Sequence, residues 1–147
     1  MTHVRKQIRD NIVTTLTGLS TTGSNVFRSR VYPIAENKLP GILIFTDSED
    51  VEFGTIGSDR SQIRNLTISI QGYVKSATNY DDTLDQICVE VEEALHTDIT
   101  RGGLAKDTQV VSFDAEFSDD GDQPVVVGTL ETLVSYVTIE SNVEAAQ

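Results

Sequence analysis

The stretch from Ile63 to Lys75 constrains the fold most. Leu66, Ile68, Ile70 and Val74 alternate there with Thr67, Ser69, Gln71, Tyr73 and Lys75. A period of two over this length describes a β-strand with one dry face and one wet face, and the dry face must be covered by another layer. Two segments have the matching helical period. Val4, Ile8, Ile12, Leu16 and Leu19 form a stripe that predicts an amphipathic helix over residues 3–18, ended by Gly18 and the Thr21-Thr22-Gly23-Ser24 cluster. Leu84, Ile87, Cys88, Val91, Ala94 and Leu95 fall within an arc of roughly 120° at helical spacing. Asn79 or Thr78 is the expected cap of this second helix, Asp81 and Asp82 complement its N-terminal dipole, and Arg101-Gly102-Gly103 stops it.

The rest of the chain reads as β-structure. Val26 to Val31 is a short β-prone run, and Pro33 argues against its continuing as a central strand. After the breaker Leu39-Pro40-Gly41, the unbroken apolar run Ile42 to Phe45 predicts a strand covered on both faces. Asp47 to Asp59 is acidic and contains Gly54 and Gly57, which suggests a loop or a ragged hairpin tip. Val111, Phe113, Ala115 and Phe117 alternate before the turn Ser118 to Pro124, and a second β run covers Val125 to Ile139. The phase of that run is mixed, so a bulge or burial on both faces is expected. Ser141 to Gln147 shows no pattern and is expected to fray. No internal repeat or dividing linker is present. Residues 1–147 therefore read as one α+β domain, a mainly antiparallel sheet with two amphipathic helices packed on it.

Charge narrows the function. With 11 Lys and Arg against 23 Asp and Glu the chain carries a formal −12, which disfavours sequence-specific nucleic-acid binding through phosphate neutralisation. The charge is also unevenly distributed. Residues 1–31 hold five basic residues and one acidic residue, whereas nine acidic and no basic residues follow Lys106. No run approaches the ~20 apolar residues of a membrane helix, and the basic N-terminal stretch has no apolar segment behind it, so neither a membrane span nor a signal peptide is expected. The single cysteine, Cys88, cannot form an internal disulfide and fits a reducing cytoplasm. The Asn65-Leu66-Thr67 sequon sits in a strand pattern and is read as incidental.

Residues for chemistry are few. His3 lies near the start of the first helix, where terminal exposure is expected, and His96 stands at the end of the second as a lone imidazole. Cys88 falls on an apolar stripe, as a buried small hydrophobe does. The best candidate cation turn is Asp119, Asp120 and Asp122, but it lacks the closing Glu of an EF-hand loop and reads as a solvated turn. Asp47, Glu49, Asp50 and Glu52 have no neighbour that would separate their pKa values for acid–base work. No catalytic residue, metal site or cofactor is assigned.

The phrases Ile8-Arg9-Asp10-Asn11-Ile12-Val13, Val26-Phe27-Arg28-Ser29-Arg30-Val31-Tyr32-Pro33 and Leu39-Pro40-Gly41-Ile42-Leu43-Ile44-Phe45, with Asp82 through Leu95 and Gly102-Gly103-Leu104-Ala105, occur in a suggestive order. Taken together from Val4 to Val137, they resemble the tail terminator, or minor tail protein U, family of tailed bacteriophages. The resemblance implies a homohexameric ring on the end of the tail tube, with partners in the tube protein and the head-tail connector or neck protein. It also implies a location in the virion tail or neck, after assembly in the host cytoplasm.

On that reading, Arg28 and Arg30 are expected to meet carboxylates of a neighbouring subunit. Asp47, Glu49, Asp50 and Glu52, with Asp119, Asp120 and Asp122, are expected to face subunits or tail and neck partners. The overall acidity would also let genome DNA pass a ring without adhering. A different neck or tail completion ring, a small metal-dependent enzyme and a monomeric binding module are the alternatives.

Overall fold

The computed structural model describes residues 2–28, 39–54, 57, 59–75, 79–118 and 125–147. Helix α1 spans Val4–Leu16, followed by strands β1 (Val26–Arg28), β2 (Gly41–Phe53) and β3 (Ser61–Lys75). Helix α2 (Tyr80–His96) leads to strands β4 (Asp107–Ser118) and β5 (Val125–Ile139). The five strands form one sheet in the order β1-β2-β3-β5-β4. All neighbours are antiparallel except β1 and β2, which run parallel. The expected α+β fold with a mainly antiparallel sheet holds, β1 and β2 being the one parallel pair among the described strands. β3 and β4 run in the same direction with β5 between them, so α2 is the crossover that carries the chain over the sheet face.

Both helices lie on that face. Val4, Ile8, Ile12 and Leu16 of α1 and Leu84, Ile87, Val91 and Leu95 of α2 are buried against Ile42, Ile44, Leu66, Ile68, Ile70, Val74, Val126, Leu130 and Val134. Four fully buried branched side chains contribute about 6–12 kcal/mol for α1. A cap contributes about 1 kcal/mol, so packing of the stripe decides where this helix sits. Gly18, just past the helix, has φ +95°, where a side chain would be strained.

Several sequence expectations need correction. β2 runs on to Phe53, so most of the acidic stretch is strand rather than loop. β5 contains no bulge: its pattern of buried and half-buried positions alternates without interruption over 15 residues. Its phase looks mixed because Gly128, Thr132 and Thr138 occupy dry-face positions, while Val125, Val127, Leu133, Val137 and Ile139 are half-buried on the other face. The bulges lie in other strands, between Thr46 and Ser48 of β2 against β3 and between Val110 and Ser112 of β4 against β5.

Asn79 does precede α2, but its side chain makes no capping hydrogen bond; Thr78 lies outside the described residues. Residues 141–147 do not fray: the carbonyl of Val143 accepts from Val4 N–H at 3.0 Å, and Gln147 N–H donates to Val137 at 2.8 Å. No helix among the described residues is long and apolar enough to cross a membrane.

Candidate functional site

Each bulge inverts the side-chain alternation of its strand, because one residue is skipped in the pairing register. In β2, Ile42, Ile44 and Thr46 face the helices, the skipped Asp47 is exposed, and Glu49, Val51 and Phe53 then take the helix side. Only Glu49 of the four acidic candidates is thereby carried inward, with its side chain 5% exposed. Asp50 and Glu52 stay exposed on the other face, opposite Asn65 and Ile63.

The Glu49 carboxylate is fully engaged. One oxygen accepts from Arg5 Nη1 at 2.6 Å and from Arg64 Nη1 at 2.7 Å, and the other accepts from the Tyr136 hydroxyl. Arg64 also donates through Nε to Thr138 at 3.0 Å and through Nη2 to Gln62 at 2.8 Å. His3, expected to be exposed, instead half-buries and caps α1, its Nδ1 accepting from Arg5 N–H at 3.0 Å. Burial, helped by the charges of Arg5 and Arg64, holds the His3 imidazole below its usual pKa. The Tyr136 phenol is pushed up by burial and by its bond to the Glu49 carboxylate. This corner pins the start of α1 to the sheet. Its carboxylate has no open position for a substrate, so it is structural rather than catalytic.

Arg28 lies on the edge strand and pairs with Asp10 at 2.7 Å, and Lys6 pairs with the same carboxylate at 2.7 Å. One carboxylate thus sits between two exposed cations at the α1/β1 edge. Arg30, Asp119, Asp120 and Asp122 lie outside the described residues.

The opposite edge differs. The bulge at Val111 turns Phe113, Ala115 and Phe117 toward the helix side, opposite Leu130, Gly128 and Val126. α2 does not cover them. Phe113 and Phe117 stay exposed, and Phe117 makes an edge-on ring contact with Tyr80 at 5.3 Å between centroids. Asp114 and Glu116 alternate with them, and Cys88 on α2 senses the charges of Glu92 and Asp85. The Cys88 thiol is pushed up to about 11, first by burial and then by those carboxylates, so it is protonated at neutral pH and a poor nucleophile.

Two of the open clefts are lined in part by sheet residues. One, of about 280 Å³, is lined by Leu39, Pro40, Val74, Lys75, Asn79, Tyr80 and Thr83. The other, of about 180 Å³, holds Glu92, His96 and Thr108, but the Thr108 hydroxyl donates to the Ile99 carbonyl at 2.8 Å rather than waiting on a base. Among the described residues no three His, Cys, Asp or Glu side chains gather as a metal site would require.

No protein-family model matches the chain. No curated protein matches it. Among solved structures, it is similar to a chain of the "Virion of native gene transfer agent (GTA) particle", with 15% sequence identity, 90% of this chain and 92% of that chain covered, and a TM-score of 0.41.

Two features of the site escaped the sequence reading for different reasons. Arg64 occupies the same strand parity as Leu66, Ile68 and Ile70, and an arginine in phase with a dry face signals a buried charge with a counter-ion. The exposure of Phe113 and Phe117 had no such signal, because their alternation looks like that of a covered strand.

Proposed function

We propose that the chain is a structural virion protein, a tail terminator whose ring caps the tail tube, ends its polymerisation and joins the tail to the head connector. The sequence resemblance over Val4 to Val137 suggests the role. The observation that carries it here is the β4 edge, where Val111, Phe113 and Phe117 are exposed on a strand with no outer partner among the described strands. Exposed apolar side chains grouped in this way mark a protein-contact surface, and the clefts and polar corner provide no competing catalytic arrangement. Exposed Asp47, Asp50 and Glu52 supply the negative surface that would repel phosphates of passing DNA if they line the ring's channel.

Deleting the gene from the particle-producing genome and imaging the products tests this role. Overlong tubes without heads are expected. Tails of normal length that fail to join heads would indicate a neck ring instead, and normal complete particles would overturn the proposal.

A further inference from the structure

The two sheet edges differ in both charge and polarity. At the α1/β1 edge, Lys6 and Arg28 are about half exposed and share the single carboxylate of Asp10. At the other edge, Val111, Phe113 and Phe117 are 55%, 43% and 61% exposed. On the helix side, exposed Asp85 and Glu92 of α2 stand beside them, while exposed Asp114 and Glu116 alternate with them and project from the other face of β4. We infer that the β4/α2 edge of one copy of this chain docks on the α1/β1 edge of a second copy, with Lys6 and Arg28 meeting Asp85 and Glu92 beside the phenylalanines. This surface rests on the ring reading above and identifies its subunit contact.

Charge selects the occupant. A symmetric contact of two β4 edges would set Asp85, Glu92, Asp114 and Glu116 against their own copies, and like charges across an interface are penalised. The complementary surface is the other edge of the same molecule, so the contact is head-to-tail, the kind that closes into rings. Its strength is limited. Two phenylalanines and a valine, each about half exposed, offer on the order of 250 Å², against roughly 800 Å² per partner in a stable interface. A single contact is therefore weak, and association gains from closure, where every subunit is held twice.

A charge exchange tests the inference. Variant one carries Lys6→Glu and Arg28→Glu, and variant two carries Asp85→Lys and Glu92→Lys. These exposed positions leave the core intact, and circular dichroism with a urea midpoint checks each fold. By sedimentation at low salt and up to millimolar concentration, the wild-type chain should form species above 16.1 kDa that dissociate as salt rises. Each variant alone should associate at least tenfold more weakly, and their equimolar mixture should recover association, because each restored junction pairs one chain's altered edge with the other's.

Phe117→Ser should weaken association about tenfold at both salt levels; if it unfolds, the charge exchange decides. A wild-type chain that stays at 16.1 kDa, variants that associate like the wild type, or a mixture no better than its parts would each overturn the inference. The two readings fail separately. Overlong tubes on gene deletion with no effect of the charge exchange would retain the tail role and reject this surface, and the converse pair of results would retain the surface and reject the role.

Discussion

The molecule buries two arginines in opposite ways. Arg64, under the start of α1, meets the Glu49 carboxylate and has Thr138 and Gln62 as further acceptors. Arg101, just past α2, is 1% exposed and makes no carboxylate ion pair among the described residues. Its guanidinium donates to the backbone carbonyls of Leu95 and Asp98 and to Asn11 Oδ1 at 3.3 Å. The first charge is balanced by an opposite charge, and the second by the unpaired carbonyls and negative dipole end of a helix. Burial lowers the Arg101 pKa, with the Asp98 charge opposing the shift. Arg101 also sits at φ +51°, an unusual backbone for a residue other than glycine, so the side-chain bonds hold a costly conformation in place.

The comparison is broken most directly at Glu49. Glu49→Ala leaves Arg64 without its counter-charge and should cost about 3–5 kcal/mol in urea unfolding. Replacing the pair together, Glu49→Leu with Arg64→Met, should recover much of that loss. A Glu49→Ala variant no less stable than one altered at Arg101 would show that the ion pair is not what matters there.

Arg101→Met should cost about 2 kcal/mol, because carbonyls of the α2 terminus lose their donor while no charge is stranded. Hydrogen exchange should then accelerate at residues 97–105 and leave β3 and β5 unchanged; uniform acceleration would mean that Arg101 supports the whole core.

Tyr136→Phe should cost about 1.5 kcal/mol at neutral pH through the lost bond to the carboxylate, with a distinct pH signature. The folded chain holds Tyr136 protonated above its ordinary pKa, whereas the unfolded chain releases that proton near pH ~10. Above that pH the folded state binds more protons, so stability falls as pH rises, and Tyr136→Phe should flatten the decline. Phenolate absorbance that appears for all four tyrosines at one ordinary midpoint in the folded protein would contradict this.

The smallest effect is expected at Gly128. A Cβ there would lie 3.0 Å from Phe113 Cε1 and 3.1 Å from Leu84 Cδ2. Phe113 is exposed and can swing aside, whereas the buried Leu84 must give by a few tenths of an ångström, so Gly128→Ala should cost about 1 kcal/mol in melting stability. A larger loss would show that Phe113 is held more firmly than its exposure implies.

Periodicity was enough to locate α1, α2 and β3, because the stripe Val4, Ile8, Ile12, Leu16 and the alternation Leu66, Ile68, Ile70 each have a single dry face. It misjudged the acidic stretch, since a bulge at Asp47 leaves no mark in the pattern yet decides that Glu49, and not Asp50 or Glu52, enters the core. In β5 the misleading feature was the second face, apolar enough at Val125, Val127, Leu133 and Val137 to imitate a change of phase. The candidate contact surface was half legible: uneven charge along the chain suggested two sides, but placing them on opposite edges required the strand order.

The closing segment of the chain bears on timing. The Gln7 side chain donates to the Glu144 carbonyl across 137 positions, and Val4 N–H donates to Val143. On a ribosome, α1 emerges early and its start can meet Glu49 and Arg64 as β2 and β3 follow, but its tie to residues 143–144 waits until β5 is out. Contacts this distant in sequence slow folding, and the Val4 N–H donor at the first turn of α1 stays open to other acceptors throughout that wait. The same hydrogen bonds place residues 4 and 143 side by side, so a short linker joining the ends of this chain, with a new opening cut elsewhere, would turn this distant tie into a local one.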